Sequence, residues 1–97
     1  MDYRQAMGSS LRKIRKARGL TQESFTEVSS RTHMSELERG VIGITVEKLI
    51  ELSAVMNVHP LTILLDSFSS YEQETPERLL KQIAKEHKKV AKESPEA

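Results

Sequence analysis

The sequence predicts an all-α fold: five short helices followed by a C-terminal helical extension. Three observations carry this. Apolar residues recur at three- and four-residue intervals, residues suited to helix caps flank each periodic stretch, and there is almost no strand signal.

In the first helix Tyr3, Met7, Leu11, Ile14 and Ala17 fall within an arc of about 120°, with Arg4, Arg12, Lys13 and Lys16 off that stripe. Gly19 ends it. Thr21 is suited to cap a second helix over residues 22–28, with Leu20 and Phe25 spaced as a hydrophobic staple. Val28-Ser29-Ser30 forms the turn into a third helix over residues 31–39, capped by Ser30 and closed by Gly40 in the left-handed conformation. Thr45 caps the fourth helix, which places Val46, Leu49, Leu52, Ser53 and Met56 on one side and ends at Asn57. His59-Pro60 starts a short fifth helix carrying Leu61, Leu64 and Leu65. The polar run DSFSSYEQET reads as a linker, and Thr75-Pro76 opens a last helix over residues 77–92, with Leu79, Ile83 and Val90 nearly in line and a frayed ESPEA end. The expected organisation is a domain over residues 1–66, a linker over 67–75, and a terminal helix and tail over 76–97.

A chain of 97 residues supports one modest core. The formal net charge of +1 is uninformative, but its distribution is not. Residues 1–40 hold eight Lys and Arg against five Asp and Glu, residues 41–75 hold one against five, and residues 76–97 hold six against four. The basic part therefore includes the third helix. With no cysteine, neither disulfides nor thiolate metal sites are available. His33, His59 and His87 are scattered without metal-ligand spacing, and His59 reads as an N-cap; no metal and no cofactor are expected. No apolar run reaches the roughly 20 residues of a membrane span and the N-terminus lacks a secretory h-region, so a cytoplasmic, nucleoid-associated protein without membrane or small-molecule partners is expected.

The third helix divides its surface unequally. At about 100° per residue, Arg31, Thr32, Ser35, Glu36 and Arg39 share an arc of roughly 140°, while Met34 and Leu37 point the opposite way. Two short helices joined by about three residues, and held by longer neighbours, have the layout of a helix-turn-helix that props its second helix into a DNA major groove. Guanidinium, hydroxyl and carboxylate groups suit the base edges there. The same residues offer no buried base and no oxyanion hole, so enzymatic activity is not expected.

MGSSLRKIRKARGLTQESF, SELERG and TVEKLIELSAVMNVHPLTIL, in this order over residues 7–65, resemble the Cro/phage-repressor type of helix-turn-helix, the xenobiotic-response-element (XRE) family of regulators. The resemblance implies a lambda-repressor-like five-helix domain binding double-stranded DNA. Arg31, Thr32 and Glu36, with Ser35 and more loosely His33, match the base-reading positions. Gln22, Arg39, Gly43 and Thr45 match phosphate contacts, and Arg15 with Glu38 matches an ion pair bridging the first helix to the end of the third. Arg12, Lys13 and Lys16 read as solubilising surface. The sequence departs from the family in a turn two residues shorter and without its glycine, an apolar VIGI loop, and the tail beyond residue 66.

The function expected is sequence-specific DNA binding by a homodimer on an inverted repeat, regulating transcription as an (auto)repressor. The alternative is a protein-interaction module on the same fold, such as an antitoxin. One recognition helix reads few base pairs, so two copies about 34 Å apart are needed for useful specificity. The last helix is the favoured dimer element over the fifth helix and the VIGI loop.

Overall fold

The computed structural model describes residues 1–95; the last two residues of ESPEA lie outside the described residues. Among the described residues five α-helices follow one another: α1 (Tyr3–Ala17), α2 (Arg31–Glu38), α3 (Val46–Met56), α4 (Pro60–Glu72) and α5 (Pro76–Glu93), with a 3₁₀ turn over Gln22–Phe25 between the first two. No strand occurs among the described residues.

The local start signals are chemical. Asp2 accepts from the Gln5 amide at 2.9 Å, Ser30 from His33 at 3.0 Å, Thr45 from Lys48 at 3.1 Å, and Thr75 from Arg78 at 3.2 Å. The imidazole Nδ1 of His59 accepts from the Leu61 amide at 3.0 Å. Each satisfies a backbone donor that an α-helix leaves free.

The stops are uniform. α1 through α4 end in the same pattern, with left-handed residues Gly19, Gly40, Asn57 and Gln73. At each, the following amide reaches back five residues: Leu20 to Arg15, Val41 to Glu36, Val58 to Ser53 and Glu74 to Ser69, at 3.0–3.1 Å. These are Schellman closures.

Met7, Leu11, Phe25, Met34, Leu37, Leu49, Leu52, Met56 and Ile63 form the core. Burial of each such side chain contributes roughly 1.5–3 kcal/mol before conformational entropy is set against it. α1 is the central strut, packing on α4 along one side and on α2 along another.

Three expectations are corrected. The second helix is a 3₁₀ turn: Ser24 bonds back to Thr21 and Thr26 to Glu23, the i→i+3 pattern that closes a turn with fewer residues than an α-helix, in keeping with the contracted motif. The polar run after Leu65 is not an open linker, since α4 continues to Glu72. Tertiary contacts hold it there: Ser67 is fully buried and shares a 2.9 Å hydrogen bond with the Tyr3 hydroxyl, and the Phe68 and Tyr71 rings stand 4.6 and 5.4 Å from the Tyr3 ring. Asp66 adds bonds from Ser10 and Lys13 of α1 at 2.6 and 2.5 Å. Finally, Val46 sits at the first turn of α3 beyond the edge of the core and is exposed.

Candidate nucleic-acid interface

The polar face expected from the sequence lies on α2. Met34 and Leu37 are each 1% exposed and fasten the helix to the core. Opposite them Arg31, Thr32 and Arg39 are exposed, and His33, Ser35 and Glu36 are half-buried. The Arg31 guanidinium lies 3.2 Å from the Glu23 carboxylate of the 3₁₀ turn, and Arg39 Nε donates to Ser35 Oγ at 3.3 Å. Both arginines are thus held along the helix front by contacts weak enough to be exchanged for a ligand.

Beneath this front, Glu38 organises three elements. Its Oε2 accepts from Arg15 Nε at 2.6 Å, and its Oε1 accepts from Arg15 Nη2 at 2.9 Å and from Gln22 Nε2 at 3.1 Å. Arg15 Nη1 also donates to the Leu20 carbonyl at 2.9 Å. The two side chains are 10% and 4% exposed. The hydrogen bond to Glu38 holds the Arg15 pKa above its ordinary value; burial opposes this and the charge of Glu38 adds to it. The forked guanidinium therefore ties α1, the 3₁₀ turn and α2 into one unit.

A shallow hollow of about 150 Å³ opens over this junction, lined by Arg12, Arg15, Gln22, Ser35, Glu38 and Arg39. Arg12 and Arg39, both exposed, give it a cationic rim. Gln22 reaches the same hollow but spends one amide hydrogen on Glu38.

Gly43 and Thr45 stand on the loop between α2 and α3. The Thr45 hydroxyl caps α3, and the α-carbon of Gly43 lies close to the guanidinium of Arg4, to which a Cβ would approach within 3.5 Å. Ile42 and Ile44 pack against the core while Val41 remains exposed, so the VIGI loop is partly scaffold.

Sequence reasoning missed three residues here. Arg4, read only as lying off the α1 stripe, stands beside the loop. Glu23 pairs with Arg31, and Lys48 donates to the Val28 carbonyl at the turn while pairing with Glu51 at 3.2 Å. No local pattern marks such contacts, because each depends on how separate elements pack.

Over residues 11–63 the chain matches the helix-turn-helix family. It belongs to that family, in the XRE-type branch. The chain is 40% identical over 60 residues to the uncharacterized HTH-type transcriptional regulator y4dJ of Sinorhizobium fredii, covering 60% of this chain and 78% of the relative. A crystal structure of the clp gene regulator ClgR from Corynebacterium glutamicum superposes with a TM-score of 0.67 at 28% identity, covering 72% of this chain and 94% of the other. A second ClgR structure gives 0.70 at 24% identity over 88% and 89% of the two chains, a likeness of fold that reaches well beyond residues 11–63.

This protein is a transcriptional regulator with a helix-turn-helix DNA-binding domain, and the family match runs from within α1 to the first turn of α4. Its relatives are transcriptional regulators. Among the described residues no group of three His, Asp or Glu is gathered as for a metal, and no single helix is long and apolar enough to cross a membrane.

Proposed function

We propose that the protein acts in the cytoplasm as a homodimer on an inverted-repeat operator, repressing transcription from promoters that include its own. The supporting observation is the polarity of α2, with Met34 and Leu37 sealed into the core and Arg31, Thr32 and Arg39 on the open side. A major groove about 12 Å wide admits one such helix. Arg31 at its start pairs with guanine O6 and N7, the Thr32 methyl meets a thymine methyl, and Glu36 accepts from a cytosine amine, with Ser35 contributing a hydroxyl.

The flanking groups fix register. Arg39 and Gln22 take phosphates at the cationic hollow, and the backbone from Gly43 to Thr45 lies along the strand, where Arg4 adds charge. Arg15 and Glu38 hold the two elements of the motif at a fixed angle and touch no DNA. Repression then follows from occupancy of a promoter, set by the concentration of the protein.

Selection of bound sequences from a random duplex pool tests this reading. The expected product is a palindrome with half-sites one helical turn apart, present also upstream of the protein's own coding sequence. Recovery of unenriched sequence at moderate salt would refute it. Purification with a stoichiometric protein partner and no DNA affinity would point instead to an interaction module on the same fold.

A further inference from the structure

α5 is amphipathic along its length, yet its own chain covers little of it. Leu79 is buried against α4, while every residue from Leu80 to Pro95 is exposed. Leu80, Ile83 and Val90 are 53%, 49% and 62% exposed and share one side of the helix. A helix of this kind gains its stability from an apolar surface laid against that stripe. Where α4 and α5 meet, an open groove of about 370 Å³ runs between Leu61, Leu64 and Phe68 on one wall and Leu80 and Ile83 on the other.

We infer that a second copy of the chain seats in this groove, with α5 of each copy lying over α4 of the other. The inference rests on the homodimeric reading above and supplies its interface. Charge selects this occupant. The groove is lined by Glu72 of α4 and Glu86 of α5 and by no Lys or Arg, whereas α5 carries six Lys and Arg against three Glu, so laying α5 of one copy over the groove of the other brings unlike charges together around the apolar centre. Position agrees, because α5 packs on α4 while α2 packs on α1 and the 3₁₀ turn. A partner in the groove therefore leaves the front of α2 open.

Size sets the strength. Helices of 13 and 18 residues are about 20 and 27 Å long and about 10 Å wide. Together they offer a footprint of roughly 450 Å² per copy, below the roughly 800 Å² of a standard stable interface. Assembly therefore depends on concentration, as a regulator governed by its own abundance requires.

Sedimentation equilibrium of the full chain without DNA provides the test. The wild type is expected to pass from monomer to dimer as concentration rises. Ile83→Glu, which places a charge in the apolar seam, should weaken the dimer roughly tenfold or more. Val90→Glu should also weaken it, and because Val90 lies far along an exposed helix, that variant should keep its fold, read as unchanged circular dichroism. Ile50→Glu on the exposed face of α3 should leave association unchanged. A wild type that stays monomeric throughout, or a dimer split by Ile50→Glu and indifferent to Ile83→Glu and Val90→Glu, overturns the interface. The DNA reading fails separately: a dimer that obeys these variants but selects no DNA sequence retains the interface and loses the operator.

Discussion

Gly8 of α1 lies directly against the backbone of Glu38 at the end of α2: a Cβ on Gly8 would fall 2.5 Å from the Glu38 carbonyl oxygen and 2.6 Å from that of Leu37. The absent methyl is what lets the strut approach α2. Backbone cannot move aside as a flexible side chain can, so Gly8→Ala must separate the two helices. Alanine gains up to about 1 kcal/mol of helix propensity, while overpacking costs roughly 1–3 kcal/mol. The expected net loss is about 1–2 kcal/mol, lowering Tm by roughly 5–15 °C. A thermal melt in which Gly8→Ala matches or exceeds the wild type would show that the approach is looser than described.

Arg15 and Glu38 form the second tie across the same junction, and removal of either leaves the other charge buried without its partner. Arg15→Met and Glu38→Gln should each cost about 3 kcal/mol, and the double variant clearly less than their sum. The Arg15 pKa is raised, so the pair's contribution is complete below the ordinary arginine pKa and is lost only as pH rises through the higher folded value. Stability supplied by the pair should therefore persist at about pH 10, still below the ordinary arginine pKa. Chemical denaturation of the wild type and Arg15→Met at neutral and alkaline pH checks this: a gap between them that closes by that pH would contradict it.

The caps were legible because they are local. Ser30, Thr45, His59 and Thr75 each bond an amide two or three residues ahead, and Gly19, Gly40 and Asn57 are residue types that accept the left-handed conformation. Gln73 closes α4 by the same bonds, but nothing about glutamine signals it, and the expected linker was the consequence. The helix beyond Leu65 depends on Tyr3, more than sixty residues away, and the close approach at Gly8 depends on two helices crossing. The face of α2 was readable from periodicity alone, since Met34 and Leu37 mark its back. The partner of that face, Glu23, and Arg4 beside the loop at Gly43 were not, because chain packing brings them there.

Gln73 offers a stabilising substitution. Its φ of 54° places an L side chain where the Cβ crowds the following carbonyl oxygen, at a cost of roughly 1–2 kcal/mol. Gln73→Gly removes that strain while adding freedom to the unfolded chain, for an expected net gain of about 0.5–1 kcal/mol. Asn57→Gly, at a residue that tolerates the conformation, should change stability less. Urea midpoints compare the two; a lower midpoint for Gln73→Gly would mean the glutamine side chain contributes more than its backbone strain removes.

Arg31 and Arg39 stand at opposite ends of α2, and their loss should be distinguishable. Arg31 sits at the first turn, 3.2 Å from Glu23, and on the proposed DNA reading it exchanges that carboxylate for a base edge. Arg31→Ala should cost about 1–3 kcal/mol on the preferred sequence and little on sequences already mismatched at that base pair, so preference at one position per half-site is relaxed. Arg39 lies on the rim of the cationic hollow, and Arg39→Ala should weaken every duplex to a similar degree, with the slope of log affinity against log salt falling by about one per site. Neither side chain is buried, so both variants should melt close to the wild type. Titrations of matched and mismatched duplexes over a range of salt separate the two effects. An Arg31→Ala variant that loses affinity equally for all sequences would move base reading away from the first turn of α2 to Thr32, Ser35 or Glu36.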